Sequence, residues 1–247
     1  IFLWPEGILT NTYQDELYKF SEIFSKNFSE NHLIGLGMTN RSFFEKDYKY
    51  FNSFSIFDNE LNLIDNYNKI NLVPFGEFLP FENFFKKIGL KTITNNIGSF
   101  TEGDKREIIR IKNNFFQFSF LPLICYEIIY TGELAKSYNF EYILNISEDG
   151  WFGKSIGPYQ HFTHSIFRAI ETGKYVLRSS NNGITAIINP LGEIEKKINY
   201  GNIGFIDLEE KRSFESTMFS KYGNRIFLII IFLYIFLIIL LNRLENE

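Results

Sequence analysis

The chain has 247 residues, 45 % hydrophobic and 22 % charged, with a formal net charge of −4. That length and composition suit one large folded domain and exclude long disordered tracts, while the acidic balance offers no basic surface for nucleic acid. A single cysteine rules out an internal disulfide and any cysteine-built zinc or iron–sulfur cluster. The 29 Phe and 14 Tyr, with abundant Ile, Asn and Lys, follow A/T-rich codon usage and are read as compositional. Because the sequence opens on Ile1, inside a strand-like segment, it is expected to be part of a longer protein.

In chain order, residues 1–4 read as a short buried strand, and Thr12-Tyr13-Gln14-Asp15 resembles a capping box leading a helix to about Asn27. Strands are predicted over 32–38 and 50–57, the second closed by the turn Asp58-Asn59-Glu60. Residues 69–80 form a loop punctuated by Pro74, Gly76 and Pro80. A strand over 115–125, with Pro122 at an irregularity, precedes a short helix over 130–138. Next come a strand over 142–146, a helix over 157–172, and strands over 175–180 and 184–188 joined to the turn Asn189-Pro190-Leu191-Gly192. Segments 193–198 and 203–208 finish the sheet. Several strands are apolar throughout, as in sheets covered on both faces, so the fold class is α/β, a layered sandwich in one domain over 1–210. There is no internal repeat and no linker before about residue 211.

Residues 211–225 read as a linker, and 226–241 are hydrophobic without interruption, Tyr234 alone carrying a polar atom. As a helix this core is ~24 Å long at ~1.5 Å per residue, short of a bilayer core of ~30 Å. Arg225 and Arg243 flank it and can snorkel, so it is predicted to be a transmembrane helix. Lys211, Arg212, Lys221 and Arg225 precede it and only Arg243 follows; by charge alone the domain belongs on the cytoplasmic side.

Three loop segments carry reactive groups: Trp4-Pro5-Glu6; Lys69-Ile70-Asn71-Leu72-Val73-Pro74-Phe75-Gly76-Glu77; and Ile124-Cys125-Tyr126-Glu127. A thiol of pKa ~8.5 is mostly protonated at neutral pH and wants a base. His32, His161 and His164 have no carboxylate partner visible in sequence, and His161 with His164 lacks a third ligand for a metal. A carboxylate whose pKa is raised by burial can serve instead, with a lysine to hold the developing oxyanion. Glu6, Lys69 and Cys125, each near a strand end, can meet at one edge of a sheet.

In this order the three segments resemble the nitrilase (carbon–nitrogen hydrolase) superfamily. More narrowly they resemble the apolipoprotein N-acyltransferase family. The likeness continues through Asn145-Ile146-Ser147, Asp149-Gly150-Trp151-Phe152-Gly153, Gly157-Pro158-Tyr159-Gln160-His161, Arg168-Ala169-Ile170-Glu171, Arg178 and Asn181-Asn182-Gly183-Ile184-Thr185, covering nearly the whole chain. The resemblance implies an α-β-β-α sandwich followed by one C-terminal transmembrane helix, with a first strand and upstream membrane helices missing. It implies catalytic Glu6, Lys69 and Cys125, support by Glu77 and Glu127, and an acyl path lined by Tyr126, Trp151 and Phe152. No cofactor or metal is implied. The implied partners are a phospholipid acyl donor, a diacylglyceryl lipoprotein acceptor and a bacterial inner membrane, with the domain facing the periplasm, against the charge bias above. Gly7, Glu148 and Lys174 depart from the family pattern, where a hydroxyl residue, Asn and Arg are expected; none touches the triad. The alternatives are an amidase acting on a small amide, a membrane-tethered binding module, and an inactive piece of the longer enzyme.

Overall fold

The structure, a computed structural model, describes residues 1–245 except 46, 82–98, 113–116, 133, 136–138 and 210–213. Two sheets face each other. The first has the order β1 (Phe2–Leu3), β2 (Ile34–Phe44), β3 (Asp47–Phe57), β4 (Leu63–Asn68). β1 runs parallel to β2, and the rest of that sheet is antiparallel. The second sheet has the order β10 (Ile194–Ile198), β9 (Thr185–Ile188), β8 (Tyr175–Asn181), β7 (Tyr142–Glu148), β6 (Gln117–Ile124), β5 (Ile109–Lys112), parallel only across β6–β7–β8.

Alternation along the strands explains the layering. In β2, Ile34, Leu36 and Met38 point outward onto Leu17, Phe24 and Phe28 of the segment holding a 3-10 helix (Gln14–Phe20) and α1 (Ser21–Asn27). Phe54 and Ile56 of β3 point inward and meet Phe120, Ile124, Leu144 and Ile146 of the second sheet. On that sheet's far face, Leu121, Leu123, Ile143 and Val176 pack under Phe162 and Ala169 of α2 (Gly157–Thr172). Each such fully buried side chain contributes about 1.5–3 kcal/mol. The result is the expected α-β-β-α sandwich.

Helix α2 has the bounds that the sequence predicts, with Pro158 in its first turn and Gly173 ending it in the left-handed region at φ 68°. Other expectations need correction. The capping position is Tyr13, whose backbone N–H is accepted by Glu16, and the helix starts as 3-10 before becoming α. Where a helix is expected over 130–138, the chain instead forms a 3-10 helix earlier, Cys125–Ile129; residues 133 and 136–138 of that expectation lie outside the described residues. Residues 203–208 form no strand, and Ile203 and Phe205 face solvent. β4 and β5 are additional strands. The segment expected as a linker contains α3 (Met218–Tyr222), and its first residues fall outside the described set.

Beyond it, α4 (Arg225–Glu245) is longer than its uncharged stretch. Within Arg225–Leu244 the mean hydropathy over 18 residues reaches 2.8, and none of those residues is buried among the described residues. Twenty residues give ~30 Å of helix, enough to cross a bilayer core.

Gly37 of β2 is closely enclosed by the chain leaving β1 and by the second sheet. A Cβ there would lie 2.5 Å from Glu6 Cα, 2.7 Å from the Pro5 carbonyl oxygen and 2.8 Å from Ile146 Cδ1. Two of those atoms are backbone and cannot rotate away. Gly37→Ala is therefore expected to lower the unfolding free energy by about 1–3 kcal/mol, as measured by chemical denaturation; an unchanged midpoint would show that the strands stand further apart.

Candidate active site

The strand directions bring three reactive groups to one end of the sandwich. β1, β2 and β4 are mutually parallel through β3, so the chain leaving β1 at Glu6 and the chain leaving β4 at Lys69 emerge together. Gly7 N–H donates to the Gly37 carbonyl at 3.1 Å and Lys69 N–H to the Asn52 carbonyl at 2.9 Å, fixing both exits. From the other sheet, β6 leads into Cys125, and the Glu148 N–H at the end of β7 donates to Glu6 Oε2 at 2.8 Å, so Glu148, expected to stand clear of these residues, touches one of them through its backbone.

Lys69 is 1 % exposed and stands between two carboxylates, 2.9 Å from Glu77 and 3.7 Å from Glu6 Oε1. Burial alone would lower the lysine's pKa, but Glu6 and Glu77 outweigh it and hold the ammonium above the ordinary lysine range. Burial pushes the Glu6 carboxyl up; Lys69 opposes the rise and Glu77 adds to it. Glu77 is itself anchored, Oε2 accepting from the Val73 N–H at 2.8 Å.

Cys125 has φ 49°, the left-handed region, at the junction of β6 and the 3-10 helix. For a residue with a Cβ this costs roughly 1–2 kcal/mol, and it turns the side chain out at a sharp strand-to-helix bend. The residue is half-buried, reachable from solvent yet with its sulfur among buried charges. Burial, then the Glu6 carboxylate, push the thiol up to about 12, against the pull of Lys69 and of a Ser147 hydroxyl within hydrogen-bond reach. Such a thiol stays protonated at neutral pH and needs a base at the moment of attack.

Glu127 ties the Cys125 elbow to the lysine loop. It is buried, and its Oε1 accepts from Tyr67 Oη (2.6 Å), Arg106 (2.7 Å) and the N–H groups of Ile70 (3.1 Å) and Asn71 (3.2 Å). Its Oε2 accepts from the Ile124 N–H at 2.9 Å. One carboxylate thus pins the chain just after Lys69 and just before Cys125.

Behind the cysteine lies a second polar network that sequence alone does not reveal. Asp149 accepts from Ser147 Oγ at 2.7 Å and from Arg178, and pairs with His161 Nδ1 at 2.8 Å. The other ring nitrogen of His161 lies 3.1 Å from the Cys125 carbonyl oxygen, so it carries a proton and donates. Burial opposes the Asp149 charge, but His161 and Arg178 hold its carboxyl far below the usual range. His161 therefore has a carboxylate partner twelve residues away in sequence, and supports the elbow; among the described residues no cluster of His, Cys, Asp and Glu is arranged to hold a metal.

Of the remaining expected residues, Tyr126 makes an edge contact with Tyr130 at 5.5 Å, and Phe152 packs against the His161 ring at 5.5 Å. Trp151 is 66 % exposed, which rules out a core role for it. A cleft of about 340 Å³ opens beside the lysine loop, lined by Ile70, Leu72, Phe78, Phe100 and Tyr130 among others. Asn52, Arg106 and Asp149 were not singled out by sequence; their partners are distant in the chain, and only Asp149 stands inside a recognisable motif.

Glu127→Gln leaves Arg106 without its buried counter-charge and sets an amide N–H₂ against donors. It is expected to destabilise the domain by about 3–5 kcal/mol, as read from its denaturation midpoint. A change within 0.5 kcal/mol (roughly the scatter of surface substitutions) would rule out the pinning role.

The carbon–nitrogen hydrolase family profile matches residues 4–209. Proteins named apolipoprotein N-acyltransferase are 39 % identical over 160 residues in Brucella suis, covering 64 % of this chain and 30 % of that one. The Wigglesworthia glossinidia protein is 40 % identical over 189 residues (72 % and 36 %), and that of Rickettsia prowazekii 32 % over 249 (100 % and 49 %). The chain thus spans between about a third and a half of these relatives' length. Among solved structures, Saccharomyces cerevisiae Nit3 superposes with TM-score 0.53 at 21 % identity (81 % and 72 % covered). A Nesterenkonia amidase of the nitrilase superfamily superposes with TM-score 0.52 at 13 % (80 % and 72 %), a likeness of fold. With that fold and the family profile in agreement, the chain belongs to the carbon–nitrogen hydrolase family.

Proposed function

We propose that the protein moves a fatty acyl group from a membrane phospholipid to the N-terminal amine of a diacylglyceryl-cysteine lipoprotein, through a thioester on Cys125. The observation that carries this reading is the buried Glu6–Lys69–Glu77 cluster beside the Cys125 elbow, in a chain that also bears an apolar helix long enough to span a bilayer. The relatives' name supports the lipoprotein acceptor.

In the first half-reaction Glu6 takes the Sγ proton as Sγ bonds to the ester carbonyl carbon, and the carbonyl oxygen becomes an oxyanion that the Lys69 ammonium stabilises. The ester C–O bond then breaks. The lysophospholipid oxygen receives the proton from Glu6, and the acyl group stays on sulfur. In the second, the lipoprotein amine attacks the thioester, Glu6 removes its proton, the C–S bond breaks and the proton returns to sulfur. A raised Glu6 pKa suits both directions of transfer. Glu77 serves as the counter-ion that keeps Lys69 in place, Glu127 fixes the elbow, and Tyr126, Trp151 and Phe152 line the acyl path. On this reading the domain lies on the periplasmic side of the inner membrane, where exported lipoproteins are.

The full-length protein incubated with phospholipid vesicles is expected to gain a fatty-acyl mass on Cys125 that hydroxylamine removes, and Cys125→Ala to gain none. Release of ammonia from small amides, with no acyl adduct, would point instead to an amidase. Lys69→Met, its fold checked by circular dichroism, is expected to lose at least a hundredfold in acylation rate (the order expected for one oxyanion donor); turnover near wild type would remove Lys69 from that role. Because the Glu6 carboxylate raises the thiol's pKa, Glu6→Gln should bring the thiolate titration to lower pH than in wild type, as followed by the pH dependence of Cys125 alkylation, while abolishing acylation. A titration that moves upward would contradict the electrostatic assignment.

A further inference from the structure

Asn52 lies on β3 opposite Thr39 and is buried. Its Nδ2 is 2.6 Å from Glu6 Oε1 and 2.7 Å from Glu77 Oε1. Both neighbours only accept, so the side chain must present its N–H₂ and not its carbonyl; the two amide hydrogens go to two different carboxylates. Lys69 completes a ring of four groups, at 2.9 Å from Glu77 and 3.7 Å from Glu6. The ammonium's short contact is with Glu77. Glu6 feels its charge at 3.7 Å and takes its hydrogen bonds from neutral donors, Asn52 at Oε1 and the Glu148 N–H at Oε2.

Two carboxylates and one ammonium in a buried site leave one negative charge in excess. The cheapest relief is for one carboxylate to take up a proton, and a protonated Glu6 cannot accept one from sulfur. We propose that Asn52 is a positioning residue that keeps both carboxylates ionised around one ammonium, so that Glu77 is the counter-ion and Glu6 the working base. A neutral amide does this without adding charge. An Asp would place a third carboxylate in the ring, and an aliphatic side chain would leave Glu6 short of a donor. The proposal rests on the reading above only in that Glu6 is the proton acceptor.

The titratable groups facing Glu6 are Lys69, Glu77 and Cys125, and the Asn52 hydrogen bond acts on it to favour the charged form. Loss of that bond must raise the pH at which Glu6 becomes a competent base. The test is the rate of Cys125 alkylation by iodoacetamide against pH in the full-length protein, followed by peptide mass spectrometry, for wild type, Asn52→Leu, Asn52→Ala and Glu6→Gln. For the Asn52 variants the acid limb is expected to move to higher pH. The rate on that limb should fall roughly tenfold, the worth of a hydrogen bond to a charged group, and return to the wild-type rate at alkaline pH. A merely distorted site would not recover there. An unmoved limb, or a loss equal at every pH, overturns the proposal, as would failure of both Asn52 variants to fold where Glu6→Gln folds. If Glu6→Gln keeps the wild-type limb, Glu6 is not the base, and the proposed function fails independently of Asn52.

Discussion

The structure depends on one buried ammonium. Lys69 is enclosed at the join of two sheets, and it can stay charged there only because Glu77 and Glu6 surround it. Isolated burial of such a charge costs several kcal/mol, so every strand that delivers one of these groups must arrive in register. That requirement accounts for the closeness of β1 to β2 at Gly37, for the backbone bond between Lys69 and Asn52, and for the reach of Glu6 across to the end of β7. The same cluster supplies the three elements that the proposed chemistry requires: a base, an oxyanion partner and a thiol that keeps its proton until attack.

Around this cluster the charges are arranged in shells that do not mix. Glu127 with Arg106 and Tyr67 forms one closed unit, and Asp149 with His161 and Arg178 forms another. Each sets a buried carboxylate against a buried guanidinium, and each ends on the backbone beside Cys125, one at the Ile124 N–H and the other at the Cys125 carbonyl. The left-handed conformation of Cys125 is thus held from both sides by neighbours with no part in proton transfer. A residue strained in this way persists only where its surroundings over-determine it.

What could be read in the sequence was what is local. Glu6, Lys69 and Cys125 sit beside Pro and Gly punctuation at strand ends, and α2 carries its own start and stop signals in Pro158 and Gly173. Asn52 could not be found in this way, because its two partners lie 46 and 25 residues away; nor could Arg106, which meets Glu127 across 21. β4 escaped detection because Asn66 and Asn68 are polar where a buried strand would be apolar. They are satisfied by Ser53, Ser55 and Gln14, in a network built from three elements. Residues 203–208 have the alternation of a strand but no neighbour to pair with among the described residues, and alternation without pairing makes an exposed segment.

Over its apolar span no residue of α4 is buried among the described residues. Free energies of parts that do not touch are additive. The work of placing α4 in a bilayer therefore neither draws on nor adds to the stability of the sandwich. Substitutions along the helix that keep it apolar are free to drift without consequence for the catalytic fold, and those in the sandwich core are felt there alone. Helix and sandwich are joined by the chain and, among the described residues, by little else.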